Sequence, residues 1–104
     1  MSRIEAIRHL LDQDPNDPDL YLMLATELRK EDRHAEAAEA LRKHLELMPP
    51  TADVGAAYRD LGICLEKQGQ ADAARETYRQ GIEAAKRFNH MGLQSEIEGL
   101  LEDV

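Results

Sequence analysis

What this 104-residue sequence lacks narrows the reading before any motif is considered. It has no tryptophan, and aromatics make up only 4% of the chain. It has no long β-branched run, so no sheet is expected. No apolar run approaches the roughly 18 residues that a membrane span needs. The first fifteen residues, MSRIEAIRHLLDQDP, lack the uninterrupted apolar stretch of a secretory signal. A single cysteine, Cys64, excludes an internal disulfide and fits a reducing compartment, with cytoplasm the expected location. Thirteen Lys and Arg against 21 Asp and Glu give a net charge of −8. That balance argues against general nucleic-acid binding, which needs clustered cations to neutralise phosphates, and against anionic membrane surfaces.

What is present is a helix-forming vocabulary of Ala, Leu, Glu, Arg and Gln, enough for one domain with one modest core. Ser2-Arg3-Ile4-Glu5 reads as a capping box, followed by Ile4, Ile7, Leu10 and Leu11 on one face of a first helix, residues 2–15. DPNDP ends it, and Asp17-Pro18 starts a second helix running to about Lys30. There Tyr21, Leu24, Ala25 and Leu28 follow the i, i+3, i+4, i+7 spacing. After a turn at EDR, a third helix from about His34 to Met48 turns Ala37, Ala38, Leu41, Leu45 and Met48 inward. Pro49-Pro50 stops it. A fourth, about 52–68, carries Tyr58, Leu61, Gly62 and Leu65, with Gly69 placed for a left-handed turn at its end. A fifth covers about 71–87. Asn89 is expected to cap a sixth, whose inner face holds Leu93, Ile97, Leu100, Leu101 and Val104.

The second pair of helices repeats the first. Tyr58-x2-Leu61-Gly62-x2-Leu65 lies over Tyr21-x2-Leu24-Ala25-x2-Leu28, and Ala74-x3-Tyr78 over Ala37-x3-Leu41, both at an offset of 37 residues. The first helix fits the end of the same unit, with Ile7 over Leu41 and Pro15 over Pro49. This pattern resembles the tetratricopeptide repeat, a 34-residue unit with large–small–large spacing in its first helix, Ala then a large residue in its second, and a closing Pro. The resemblance covers nearly the whole chain. It implies an all-α, right-handed solenoid of about six helices in antiparallel pairs, with repeats at 18–51 and 55–88 and capping helices at 2–15 and 89–104. Lys86 departs from the pattern at the second closing Pro, and the three extra residues of period fall in PPTADV. Gly62 then occupies the slot where paired helices approach most closely. Gly62→Leu is expected to overpack it at a cost of about 1–3 kcal/mol or more.

The resemblance also implies that the first helix of each pair lines a concave surface. Asp19, Leu22, Met23, Thr26, Arg29 and Lys30 fall there from the first repeat, and Ala56, Arg59, Asp60, Ile63, Glu66 and Lys67 from the second. Leu22, Met23 and Ile63 are surplus to the core stripes, as expected of an interaction surface. Four cations against three acids give this face about +1 on an acidic protein. The implied function is non-catalytic protein–protein interaction, with Leu22, Met23, Thr26, Arg29, Lys30, Arg59, Asp60, Ile63 and Lys67 holding an apolar, partly acidic peptide or helix. Two alternatives stand beside it. Leu22 and Met23 could pack against the first helix and Ile63 under the last, or the same strip could join copies of the chain. Some family members grip a partner's terminal carboxylates with Lys, Asn and Arg. Here those slots hold Leu22, Thr26, Asp60, His90 and Gln94, so that clamp is not expected.

Catalytic chemistry is not expected either. His9, His34, His44 and His90 lack the paired spacing of a zinc site, and Gly62 and Gly69 do not precede a helix as a phosphate loop would. His44 reads as a packing histidine and Cys64 as a buried, inert thiol. No cofactor or metal is implied. Glu36, Glu39 and Glu46, mixed with Arg42 and Lys43, read as a solvated face.

Overall fold

Side-chain caps and proline set where the helices begin. In the computed structural model, which describes all 104 residues, α1 spans Arg3–Gln13 and α2 Pro18–Lys30. Ser2 Oγ accepts the Glu5 N–H at 3.1 Å, while the return bond of a capping box does not form. Asp17 accepts the Asp19 N–H at 2.9 Å, with Pro18 in the first turn where no N–H is needed. The Tyr21 hydroxyl donates to the Pro15 carbonyl at 2.8 Å and so pins the α1–α2 connection. Four further helices follow: α3 (His34–Leu47), α4 (Gly55–Lys67), α5 (Ala71–Arg87) and α6 (Met91–Glu102). Helix α4 starts three residues later than the sequence predicts, because Pro49 to Val54 form turns that absorb the extra length of the repeat.

Three turns share one backbone device. After α2, α4 and α5 a single residue takes the left-handed conformation: Asp32 (φ 57°), Gly69 (φ 75°) and Asn89 (φ 57°). Each time the next residue's N–H reaches five positions back, from Arg33 to Leu28, Gln70 to Leu65 and His90 to Ala85. This is the Schellman closure of a helix C-terminus. Only Gly69 is apparent from sequence, since Asp and Asn tolerate this conformation without advertising it. Asn89 therefore ends α5 rather than capping α6, a correction to the expectation, and His90 stands at the start of α6.

The helices stack in two layers, with α2, α4 and α6 in one and α1, α3 and α5 in the other. The shortest dimension of the molecule, 20 Å, is about two helix diameters. The core runs continuously from Ile4, Ile7 and Leu11 through Leu24, Ala25, Leu28, Ala37, Ala38 and Leu41 to Leu61, Cys64, Leu65, Ala74, Tyr78, Ile82 and Ile97. At the middle of the α4–α5 pair, a Cβ on Gly62 would lie only 2.3 Å from the buried Tyr78 ring. The corresponding pair in α2–α3 is Ala25 with Leu41. The larger residue on one helix is matched by the smaller on its partner. Gly81 plays a similar part farther along, where Ile97 of α6 and Tyr58 of α4 close on α5.

Two expected inward faces differ in detail. Leu10 is 46% exposed, because α1 has a neighbour on only one flank. In α3, Ala40 and His44 are buried, whereas Leu45 and Met48 are only half-buried. His44 tolerates this position because its Nδ1–H donates to the Pro18 carbonyl at 2.7 Å, which satisfies the buried ring nitrogen and fixes the tautomer.

Candidate functional site

The face carried by α2, α4 and α6 is crossed by a chain of ion pairs. Arg29 of α2 reaches Asp60 of α4 at 3.3 Å, Arg59 meets the same carboxylate at 3.0 Å, and Arg59 also reaches Glu96 of α6 at 3.1 Å. Asp60 is largely covered, with 18% of its side chain exposed. Burial works against the charge on Arg59, but the hydrogen bonds it donates to Asp60 and Glu96 outweigh it and raise its pKa above the ordinary arginine value. Two pairs in series on half-covered side chains hold three helices in register. An isolated surface pair would do so weakly. The two arginines of this face are thus engaged with its own acids. Glu96, absent from the sequence-based face, removes the net positive charge expected there.

The remaining predicted residues divide into three groups. Leu22 and Ile63 are half-buried and pack on the core. Met23 is different: half of it is exposed, and it lines a groove shared with α1 rather than one shared with Ile63. Thr26 is exposed on the same groove, its hydroxyl turned back to the Leu22 carbonyl at 3.1 Å. Lys30 pairs with Glu27 at 2.9 Å and holds that carboxyl below its ordinary pKa, while Lys67 is exposed. Glu66 points into the hairpin and accepts the Tyr78 hydroxyl. Burial, then that carboxylate, pushes the Tyr78 phenol well above the usual tyrosine range.

Other polar clusters serve the scaffold. Arg33, at the start of α3, and Arg8, reaching across from α1, converge on Glu36 at 2.9 and 2.8 Å. Their hydrogen bonds, Arg33's first and then Arg8's, lower the Glu36 pKa to about 2. Asp53 and His90 pair between the α3–α4 loop and the α5–α6 turn. Cys64 is fully buried, and burial pushes its thiol up despite the nearby Arg29, so it is a packing residue and not a nucleophile. No group of three His, Cys, Asp or Glu side chains is close enough to hold a metal ion, and no helix is long and apolar enough to cross a membrane.

Glu96 and the Asp53–His90 contact escaped sequence reasoning, yet a signal was present. Arg59 to Glu96 and Asp53 to His90 both span 37 residues, the period of the repeat. Carrying that period one helix further brings each pair together.

Comparison with known proteins places this geometry. No curated protein matches the chain in sequence. The solution structure of protein BPP2914 from Bordetella parapertussis superposes with a TM-score of 0.80 over 99% of this chain and 87% of that one. Its sequence identity is 23%, so the likeness is one of fold. The sequence profile of the tetratricopeptide repeat, a module that generally mediates protein–protein contact and is typically non-catalytic, matches residues 18–87, about two thirds of the chain. The chain belongs to the tetratricopeptide repeat family.

Proposed function

We propose that this protein is a non-catalytic adaptor or assembly module, with repeats at 18–51 and 55–88, that holds a peptide or helix of a partner protein along the face of α2, α4 and α6. The observation that carries this reading is the Arg29–Asp60–Arg59–Glu96 chain. It braces the three helices of one face against one another, so the surface is preformed. The ordering cost of binding then falls mainly on the partner. Leu22 and Ile63 supply apolar contacts between these braces, with Met23 and Thr26 at the edge of the face toward α1. Lys30 and Lys67, exposed at the C-terminal ends of α2 and α4, suit acidic residues of the partner. A cytoplasmic setting agrees with one buried cysteine and an otherwise thiol-free chain.

The test is affinity capture with the wild type beside a Met23→Glu, Ile63→Glu double variant, each first shown to be folded by circular dichroism and to have a defined mass by light scattering. Cross-linking mass spectrometry then maps any captured protein. A partner cross-linked to α2 and α4 and lost from the variant supports the reading. Partners retained equally by both proteins refute it. A wild-type dimer that becomes monomeric in the variant, with no other partner, assigns the strip to self-association instead.

A further inference from the structure

The internal repeat makes it possible to ask what covers each surface in one place and not in another. Helix α1 corresponds to α3 at an offset of 34 residues. Arg8 lies beside Tyr21 and Leu24 as Arg42 lies beside Tyr58 and Leu61. Helix α2 corresponds to α4 at 37. The groove between α1 and α2, lined by Arg3, Ala6, Ile7, Leu10, Met23, Thr26 and, at its edge, Glu27 already paired with Arg3 and Lys30, therefore corresponds to the surface formed by Ala37, Ala40, Leu41, His44, Asp60, Ile63 and Cys64. That second surface is covered by α2 itself. Ala37, Ala40, Leu41 and His44 are each 6% exposed or less, and α2 supplies the Pro18 carbonyl to His44 and the Arg29 guanidinium to Asp60. In the groove, of about 350 Å³, the residues at these two anchor points are Leu10 and Met23, 46% and 50% exposed.

We propose that the α1–α2 groove is a second docking site, adjoining the braced face at Met23 and Thr26, and that its ligand is an amphipathic α-helix of a partner protein lying where α2 lies against α3 and α4. The required pattern follows from α2. Counted from the first residue of the helix, α2 has Tyr21 fourth, Leu24 seventh, Ala25 eighth, Leu28 eleventh and Arg29 twelfth. The ligand keeps large apolar residues at four, seven and eleven, and a small residue at eight against Ile7. It differs at twelve, where Met23 in place of Asp60 calls for an apolar side chain. This is helix-in-groove recognition with no buried ion pair.

The chain does not supply such a helix from a second copy. The one helix of its kind with a free flank, α6, follows α4 at the same offset of 37, which puts Ser95, Glu98 and Glu102 at four, seven and eleven, all polar and exposed. Seating α6 in the groove would bring two carboxylates to the seventh and eleventh positions, where large apolar side chains are needed, which is costly. The remaining exposed large apolar residues, Met1 and Met91, stand singly on different elements. The two ends of the array are therefore unlike. One presents an apolar seat for a helix, and the other ends in a helix whose free flank carries acids where large apolar residues are needed.

The test uses a synthetic peptide of residues 17–31 carrying Arg29→Leu, cross-linked on its solvent side to hold it helical and labelled for fluorescence anisotropy. It is titrated with the full chain, with Leu10→Glu and Met23→Glu separately, and with Ile63→Glu. Saturable binding is expected, weakened at least tenfold by Leu10→Glu and by Met23→Glu and changed less than about threefold by Ile63→Glu. The same peptide with Arg29 retained is expected to bind at least tenfold more weakly. Both substituted sites are half-exposed, so thermal melts should match the wild type. Absence of saturable binding, or equal binding by the Leu10→Glu chain, overturns the proposal. Loss through Ile63→Glu with retention by Leu10→Glu also overturns it, while leaving the braced face as the binding surface. A concentration-dependent dimer abolished by Leu10→Glu would assign the groove to self-association and overturn the partner helix.

Discussion

Gly62→Ala is the sharpest test of how the two hairpins are built. Helix propensity alone favours the change, since Ala is worth about 1 kcal/mol over Gly within a helix. The structure opposes it. The added Cβ would lie 2.3, 2.5 and 2.9 Å from three atoms of the Tyr78 ring, where carbon atoms normally stand about 3.5–4.0 Å apart. Retreat of the ring is blocked because Tyr78 is fully buried and its hydroxyl is held by Glu66. Overpacking of this kind costs about 1–3 kcal/mol, and a ring fixed at both ends belongs near the top of that range. Subtracting the propensity gain leaves a net loss of about 2 kcal/mol, or a fall in melting temperature of about 8–16 °C for a domain of this size. The first hairpin supplies the control, because there Ala25 faces Leu41. In a Tyr78→Leu background, Gly62→Ala should stabilise, by up to about 1 kcal/mol. Urea unfolding of the wild type, both single variants and the double variant forms the required cycle. A Gly62→Ala effect of the same sign and size in both backgrounds would refute the matched-pair account, as would a stabilised single variant.

Three further outcomes follow from other contacts. Replacing His44 by Ala removes the donor to the Pro18 carbonyl and leaves that acceptor without its partner, so urea titration should show a loss of about 1–3 kcal/mol. The Glu36 carboxyl, lowered from 4.5 to about 2, contributes stability that is fully present above pH 4.5 and disappears as pH falls toward 2. A Glu36→Gln variant should therefore be less stable than the wild type at neutral pH and equal to it near pH 2, with the gap closing between those pKa values. A Glu36 carboxyl-carbon titration by NMR centred near 4.5 would contradict this. Cys64 should resist a thiol reagent in the native protein and react promptly in denaturing urea, because its sulfur is buried and its thiolate disfavoured. Rapid native-state labelling would show that α4 opens locally.

Much of the fold is legible in the sequence for identifiable reasons. Helix α2 is bounded by Asp17-Pro18 and by a change of periodicity after Lys30. The α5 limits match those expected, and Gly69 announces its own turn. The start of α4 is not legible because Thr51 to Val54 carry no strong stop, and the role of Asn89 is not, because Asn serves either end of a helix. The candidate site was less legible. The positions of Arg29, Arg59 and Asp60 on one face follow from helical spacing. That Asp60 joins two arginines, and that Glu96 extends the chain, depends on how far apart α2, α4 and α6 stand.

The sequence by itself determined the helices, their pairing and the small–large matching at Ala25–Leu41 and Gly62–Tyr78, because these depend on spacing within a helix and on a repeat visible along the chain. Tertiary structure decided what each outward face meets. Leu10 and His44 occupy equivalent places in equivalent helices, yet one is half-exposed and the other buried against a carbonyl. Periodicity marks the side of a helix that is apolar. Whether a neighbour covers that side, and with which charge, depends on how the helices stack.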